Sequence, residues 1–91
     1  MENRLTINLD EMGISFENLW YNQGDDHFEL VADDVEDTDE YWLLHRVVFK
    51  EKSTGNYYSE SFWYSPSTGD AEFPTELTQV FPKEKTIVVY E

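Results

Sequence analysis

The chain begins with a short alternation of apolar and polar residues. In RLTINLD, residues 4–10, the aliphatic side chains of Leu5, Ile7 and Leu9 alternate with polar ones. A period of two residues is typical of a β-strand with one buried face. The pattern therefore predicts a first strand near the N-terminus, with its three aliphatic side chains directed toward the core.

The next apolar segment, SFENLWYNQG, fits two different structures. Ser15 is suited to cap a short helix that places Phe16, Leu19 and Trp20 on one face and is terminated by Gly24. The aromatic and aliphatic residues of the same segment would also suit a strand. Both interpretations stay open at this point, and we favour the helix.

A short apolar run, HFELVA at residues 27–32, predicts the next strand. The segment that follows, from Asp33 to Asp39, is dominated by acidic side chains. Because Asp is a poor strand residue, we expect a loop or a single helical turn there. The acidic segment would then interrupt the sheet just before the most hydrophobic part of the chain.

The clearest strand pattern is YWLLHRVVFKE, residues 41–51. One face is apolar except for His45, and the other turns polar at Arg46 and Lys50, as expected of a central strand. We expect His45 to be a hydrogen-bonded residue of the core or its rim rather than a ligand or a base. STGN then predicts a turn, and YYSESFWYS resumes a strand at Tyr57, so the two strands form a hairpin.

The remaining third of the chain predicts one more turn, at SPSTGD, followed by an irregular link. The link is broken by Pro74 and Pro82, with one helical turn expected after Pro74. KTIVVYE, residues 85–91, predicts the last strand. The sum is an α+β fold: a small β-rich domain with a mostly antiparallel sheet of about five strands and one or two short helices. Its length predicts a single domain, residues 1–91.

Composition narrows the class of protein. Apolar residues make up 40% of the chain and include three Trp, six Tyr and six Phe, which argues against a disordered acidic tail. The chain has no cysteine, so disulfides and thiolate chemistry are excluded. No apolar run approaches the roughly 20 residues that span a bilayer, and the N-terminal residues lack the pattern of a signal peptide. We therefore expect a cytoplasmic protein.

Charge is the most informative part of the composition. Twenty acidic and six basic residues give a net charge of −14, and residues 1–45 hold thirteen of the acids with Arg4 as their only base. A chain with this net negative charge is repelled by nucleic acids and by anionic membranes, and it is attracted to basic protein surfaces. Direct binding of DNA, RNA or a membrane is therefore not expected.

The residues give little support for a metal site or a catalytic site. Counted from either Asp33 or Asp37, the acidic segment lacks the pattern of Asp/Asn, Gly and Glu that a calcium loop needs. His27 and His45 are not spaced as a zinc pair. The chain also lacks a nucleophile motif and a phosphate-binding glycine loop. We expect no metal, no cofactor and no enzymatic activity.

The second strand of the predicted hairpin carries a ladder of aromatic residues: Tyr57, Tyr58, Phe62, Trp63 and Tyr64. Proteins that stack single-stranded bases surround such residues with Lys and Arg, whereas here Glu60 lies among them. We interpret the ladder as core residues with an exposed rim. Exposed members of the ladder would suit a protein interface, where Tyr and Trp are enriched.

Carboxylates are densest between residues 25 and 40, where nine of sixteen residues are acidic. These nine form the candidate partner-binding site: Asp25, Asp26, Glu29, Asp33, Asp34, Glu36, Asp37, Asp39 and Glu40. One interpretation is a solvated loop that keeps the protein soluble. A small domain, however, needs a net charge of only about 2–8 for solubility, and the excess destabilises the fold by self-repulsion.

The second interpretation is imitation of a nucleic-acid backbone. Carboxylates at alternate strand positions lie roughly 6.6–6.8 Å apart, and duplex DNA presents a phosphate about every 3.4 Å along each strand. A nuclease or repressor that holds DNA with rows of Lys and Arg would therefore bind the acidic surface much as it binds a DNA backbone. Binding would release counterions from both partners and would be strengthened at low salt.

The chain resembles small, acidic, cysteine-free proteins of bacteriophages. The resemblance lies in its size, in the acidic block DDHFELVADDVEDTDE and, loosely, in the hairpin RVVFKEKSTGNYYSESFWY. These phage proteins are the antirestriction DNA mimics and the anti-CRISPR proteins. The resemblance is one of overall style, so no site residues are carried over from it. It implies an inhibitor that acts in the host cytoplasm by occupying the basic groove of a nucleic-acid-processing enzyme, such as a restriction or CRISPR nuclease.

A different function also remains open. The acidic face would then serve only solubility, and the protein would be a small accessory protein of a phage or bacterium. Its aromatic edge would mediate oligomerisation or binding to a host transcription or replication factor. The two functions differ in which surface contacts the partner, the acidic segment or the aromatic ladder.

Overall fold

A computed structural model describes residues 5–81 of the chain. Their elements are, in order, β1 (Thr6–Asn8), α1 (Phe16–Tyr21), β2 (Phe28–Asp39), β3 (Trp42–Glu51), β4 (Tyr57–Tyr64) and β5 (Glu76–Val80). The strands form one antiparallel sheet in the spatial order β1-β5-β4-β3-β2. A small β-rich domain with five antiparallel strands is thus confirmed, whereas a single helix of six residues gives only loose support to the α+β class.

The segment that fitted either a helix or a strand forms helix α1. Ser15 has an extended backbone, and its hydroxyl accepts a hydrogen bond from the backbone N–H of Asn18, so the predicted N-cap is confirmed. The helix ends at Tyr21, three residues before Gly24. The backbone N–H of Gly24 still donates to the Leu19 carbonyl at 2.9 Å, which satisfies one of the free carbonyls at the helix end.

Helix α1 covers one face of the sheet, and the core lies between them. The ring of Phe16 packs edge-on against Phe49 and Phe62 of β3 and β4, with centroids 5.9 and 5.1 Å apart. The buried apolar side chains of this core are Leu9, Phe16, Leu19, Phe28, Val47, Phe49, Tyr58, Phe62 and Leu77. The predicted alternation of β3 is confirmed, because Val47 and Phe49 on its core face are both fully buried. The opposite side of the sheet is called the open face below.

The predicted hairpin of β3 and β4 is confirmed, together with both predicted turns. The two strands pair antiparallel from Leu43–Tyr64 to Lys50–Tyr57. The turn between them is closed by a hydrogen bond of 2.8 Å from the Gly55 N–H to the carbonyl of Glu51. The turn after β4 is closed in the same way, by a bond of 2.7 Å between the Gly69 N–H and the Ser65 carbonyl. Gly55 and Gly69 both adopt positive φ, which glycine tolerates without strain.

The prediction of a loop or helical turn at residues 33–39 is wrong. β2 continues through the acidic residues and pairs with β3 over its length, with register irregularities that leave Val31 and Glu36 unpaired. In the sheet formed by residues 5–81, β2 is an edge strand, so β3 supplies its ladder of backbone hydrogen bonds while its acidic side chains remain in water. Because charged side chains on an edge also deter pairing with other chains, this position overrides the poor strand propensity of Asp.

The prediction of one helical turn after Pro74 is also wrong. Residues Glu76–Val80 form β5, which lies between β1 and β4. Leu77 pairs with Ile7 of β1 and is fully buried, so burial of an alternating strand outweighs any local preference for a turn. The strand predicted at residues 85–91 lies outside the described residues.

The predicted first strand is confirmed but is shorter than its sequence pattern. β1 contains only Thr6–Asn8. Of the three aliphatic residues expected to face the core, Leu9 is fully buried, whereas Leu5 is 56% exposed. No helix within residues 5–81 is long and apolar enough to cross a membrane.

Candidate functional site

The acidic residues of β2 are distributed over both faces of the sheet by its pairing with β3. In an antiparallel pair, residues directly opposite each other have their side chains on the same face. Asp33 lies opposite Val47 and therefore belongs to the core face. Asp34, Asp37 and Asp39 lie opposite Arg46, Leu44 and Trp42, respectively, and belong to the open face.

Asp33 is bound by two side chains of the core face. The indole Nε1 of Trp20 donates to Asp33 Oδ2 at 2.9 Å, and His45 Nδ1 lies 2.8 Å from Asp33 Oδ1. His45 in turn stacks on Phe62 with 5.5 Å between ring centroids. The prediction that His45 is a hydrogen-bonded residue at the core rim is confirmed. Asp33 therefore fastens β2 to α1 and β3, and it is the least available of the predicted contact residues.

The aromatic residues around Asp33 form a cluster on the core face. Trp20 packs edge-on against Phe62, Tyr64 and His45, with centroid distances of 4.9, 5.1 and 5.4 Å. Next to it, partial desolvation raises the pKa of Tyr21 above its usual value, and the nearby Tyr64 and Glu17 add to the effect. His45 Nε2 is buried without a hydrogen-bond partner. This nitrogen is shielded from solvent, and the other ring nitrogen of His45 contacts Asp33, which joins β3 to β2.

Three further predicted residues use their carboxylates locally. Asp25 Oδ1 accepts the backbone N–H groups of His27 and Phe28 at 2.7 and 2.8 Å, which orders the turn into β2. Glu36 accepts a hydrogen bond of 2.9 Å from the hydroxyl of Ser61, on the open face. Asp37 accepts the N–H of Thr38, its own neighbour, at 2.8 Å. Each bond leaves acceptor capacity on the carboxylate for a partner.

The other five predicted residues make no side-chain hydrogen bond or ion pair within the part of the chain that the structure describes. They are Asp26, Glu29, Asp34, Asp39 and Glu40. Glu40 lies in the two-residue turn between β2 and β3, where its φ of 41° is unusual for a residue other than glycine. Tyr41 beside it is 70% exposed. The structure thus brings Asp34, Glu36, Asp37, Asp39 and Glu40 to one end of one edge strand.

The negative charge of this strand is not neutralised by nearby bases. Within residues 5–81, the one contact between a carboxylate and a basic side chain at 4.0 Å or less is that of Asp33 with His45. Arg46 lies opposite Asp34 in the ladder, but its Nε donates to the Ser59 hydroxyl at 3.3 Å. The carboxylates of β2 therefore create a negative electrostatic potential that attracts cations and basic surfaces.

The open face next to these acids contains two hollows. The first, of about 320 Å³, lies over the middle of the sheet and is lined by Val31, Ala32, Arg46, Val48, Tyr57, Val80 and Phe81. The second, of about 290 Å³, lies at the end near the β2–β3 turn and is lined by Asp39, Trp42, Trp63 and Glu72. The predicted division of the aromatic ladder into core and rim is confirmed: Tyr58 and Phe62 are buried, whereas Tyr57 and Trp63 are half-exposed on the open face.

Sequence reasoning missed this second hollow. The sequence pattern places Trp42 on the face of β3 that turns polar at Arg46 and Lys50, and it places Trp63 in the aromatic ladder of β4. It does not show that these two side chains are neighbours. The pairing of Leu44 with Trp63 is the signal that joins them, because it makes Trp42 a diagonal neighbour of Trp63. Glu72 follows from the chain reversal after β4, where its N–H donates to the Trp63 carbonyl at 2.9 Å.

No group of three or more His, Asp or Glu side chains among residues 5–81 is arranged to hold a metal ion. Comparison of the chain with family models, with curated proteins and with solved structures finds no match. The candidate site therefore rests on its own geometry: an acidic edge strand and the two hollows of the open face beside it.

Proposed function

We propose that this protein inhibits a nucleic-acid-processing enzyme by binding its basic groove through β2 and its turn. The contact residues are Asp34, Glu36, Asp37, Asp39 and Glu40 at the outer end of the strand, with Asp26 and Glu29 as a weaker extension. Asp33 and Asp25 take part by holding the strand in place, since their carboxylates are used within the fold. The protein has no catalytic role in this proposal and needs no cofactor.

One observation carries the proposal: the acidic run is an ordered edge strand, not a loop, and apart from Asp33 its carboxylates make no ion pair within residues 5–81. Pairing with β3 fixes the spacing of the carboxylates before any partner binds. Alternate strand positions are roughly 6.6–6.8 Å apart, which is about twice the 3.4 Å rise of a DNA strand. The carboxylates of β2 are thus held in a row before binding, so that they can replace phosphates with little loss of entropy.

The partner that fits this surface has a groove lined with Lys and Arg. Restriction and CRISPR nucleases have such grooves, and they are the targets expected from the resemblance to antirestriction and anti-CRISPR proteins of bacteriophages. In that setting the protein works in the host cytoplasm. Binding of the inhibitor and binding of nucleic acid to the enzyme exclude each other, because both use the same basic side chains.

The experiment is competition for a purified restriction or CRISPR nuclease against a labelled DNA duplex, repeated over a series of salt concentrations. The test variant neutralises four carboxylates of β2: Asp34→Asn, Glu36→Gln, Asp37→Asn and Glu40→Gln. These changes keep the oxygen atoms that accept from Ser61 and Thr38. The control variant removes the same charge elsewhere, with Asp10→Asn, Glu11→Gln, Glu17→Gln and Asp70→Asn, all at exposed positions.

The wild type and the control variant are expected to displace the duplex, more weakly as salt rises, and the β2 variant is expected to lose most of this activity. Its dependence on salt should also be shallower, because fewer counterions are released. If both variants lost displacement of the duplex equally, the activity would depend on net charge alone and not on the carboxylates of β2. Displacement by the β2 variant at wild-type concentrations would contradict the proposal.

A second function is favoured by the apolar surface beside the acids. Val31, Val35 and Tyr41 are 42, 50 and 70% exposed, and the larger hollow of the open face is lined mainly by apolar side chains. In this alternative the protein is an accessory factor that oligomerises, or binds a transcription or replication factor, through these residues. Sedimentation of wild type and Tyr41→Ser at several concentrations tests oligomerisation: a monomer at all concentrations would remove that form of the alternative.

A further inference from the structure

The hollow at the end of the open face combines two indole rings with two carboxylates. It has a volume of about 290 Å³ and is lined by Asp39, Trp42, Trp63 and Glu72. Asp39 and Trp42 are opposite each other across the β2–β3 pair. Trp63 is diagonal to Trp42 on the open face, and side chains as large as tryptophan come within reach of each other at such positions.

The two indoles of this hollow are not part of the aromatic core. Trp20, on the core face, packs against several rings and donates its Nε1–H to Asp33. Trp42 and Trp63, by contrast, make no ring–ring contact within residues 5–81, although all three tryptophans are partly exposed. Tryptophan is enriched at binding sites, where its face contacts the partner.

The carboxylates of the hollow decide the charge of its occupant. Asp39 and Glu72 make no side-chain hydrogen bond or ion pair with any other residue in the range 5–81. Together they exclude an anion and favour a cation, which is also attracted to the faces of the two indoles. A guanidinium group satisfies both features, since it is planar, stacks on aromatic rings and donates in a fork that matches a carboxylate.

We propose that this hollow binds the guanidinium group of an arginine side chain of the partner protein. The inference rests on the proposed function, since a partner with a basic groove offers arginines, and it names the contact that anchors the partner beside the acidic strand. Lysine is expected to bind less well, because its compact ammonium is strongly hydrated and cannot donate two parallel hydrogen bonds to one carboxylate.

The first test uses a short probe in place of the partner: acetyl-Gly-Arg-Gly-amide, with the matched citrulline and lysine peptides. The indole N–H signals of the three tryptophans are followed by NMR during titration with each peptide. The arginine peptide is expected to shift the signals of Trp42 and Trp63 and to leave that of Trp20 in place. The citrulline peptide, which has the same shape without the charge, is expected to shift none, and the lysine peptide to bind more weakly.

Two variants of the hollow complete this test. Trp63→Leu and Glu72→Gln are each expected to weaken binding of the arginine peptide about three- to tenfold, in keeping with cation–π and charge-assisted contacts. Glu72 is exposed and its backbone N–H, not its side chain, makes the bond to Trp63, so Glu72→Gln keeps the test valid if Trp63→Leu fails to fold. Equal binding of the citrulline and arginine peptides, or wild-type affinity in Glu72→Gln, would overturn the inference.

The inference and the proposed function fail in different ways. If the variant with four neutralised β2 carboxylates loses the nuclease while Trp63→Leu and Glu72→Gln bind it normally, the function stands and the arginine site is refuted. If the arginine peptide binds the hollow but no displacement of DNA from any nuclease is found, the site stands and the function is refuted.

Discussion

Asp33 should behave differently from every other acidic residue of β2, because it alone on that strand is held by two core-face side chains. We predict that Asp33→Ala destabilises the fold, while Asp34→Ala, one residue away on the same strand, has almost no effect. Both substitutions remove one negative charge and the same number of atoms. They differ in that Asp33 accepts from Trp20 at 2.9 Å and lies 2.8 Å from His45.

The expected magnitude follows from these two contacts. Hydrogen bonds to a charged group contribute about 1.5–3 kcal/mol each, and neutral ones about 1 kcal/mol. The Asp33 side chain is 30% exposed and that of His45 14%, so water replaces part of what is lost and we take the lower end. Asp33→Ala should therefore reduce the free energy of unfolding by about 2–3 kcal/mol. Asp34→Ala should change it by less than about 0.5 kcal/mol, as for most surface substitutions.

The assay is equilibrium unfolding in urea, monitored by tryptophan fluorescence and by circular dichroism at matched ionic strength. Asp33→Asn adds an intermediate case: it keeps one carbonyl oxygen for Trp20 and should cost about 1 kcal/mol. If the unfolding free energies of Asp33→Ala and Asp34→Ala agree within 0.5 kcal/mol, the structural role assigned to Asp33 is wrong.

Three further predictions concern the stability of the whole fold. Gly24→Ala should lower the free energy of unfolding by more than about 2 kcal/mol, because a Cβ there would lie 2.5 Å from the Phe28 carbonyl oxygen and φ is 126°. Gly55 has open space around it, so Gly55→Ala should lower this free energy by only about 1 kcal/mol. Unfolding in urea compares the two variants. Glu40→Gly should raise the unfolding free energy by about 0.5 kcal/mol, because φ is 41° at this turn residue, and a fall in calorimetric Tm would contradict the strain assigned to it. Raising NaCl from about 10 to 200 mM should increase Tm, because a net charge of −14 repels itself over the Debye length of about 10 Å at 0.1 M salt; an unchanged Tm would mean that the acids are compensated in the fold.

The sequence predicted those elements whose residues are buried in a regular pattern. β3 and β4 are rich in β-branched and aromatic residues, one face of β3 is apolar apart from His45, and the glycine-containing turn between them matches a hairpin, so both were identified. Helix α1 is only six residues long, but Ser15 at its N-cap and the spacing of Phe16 and Leu19 were sufficient to favour it.

The two wrong predictions have a common physical cause. β2 contains six acids and β5 follows a proline, so local propensity argues against a strand in both places. Each strand is nevertheless formed by pairing with its neighbours in the sheet. β2 pairs with β3 across a two-residue turn, whereas β5 pairs with β1, which is distant in sequence, through Thr6–Thr78 and Ile7–Leu77. The propensities of a strand's own residues do not show such pairing.

The candidate site shows the same limit. The acids of residues 25–40 were evident as a charge cluster, but their division between structural and free carboxylates was not. That division depends on which face of the sheet each residue occupies, and the irregularities at Val31 and Glu36 shift the alternation along β2. Asp33 is directed toward Trp20 and His45 for this reason, while Asp34 is directed toward the open face.

The central claim is that the carboxylates of β2 replace nucleic-acid phosphates in the groove of an enzyme. The most direct measurement begins by immobilising the wild type and the variant with Asp34→Asn, Glu36→Gln, Asp37→Asn and Glu40→Gln. A nuclease retained by the wild type is then titrated with duplex DNA at fixed salt. We predict that DNA releases the nuclease completely, at concentrations near its own affinity for the enzyme, and that the variant does not retain it. A ternary complex of nuclease, DNA and this protein at undiminished affinity would contradict the claim.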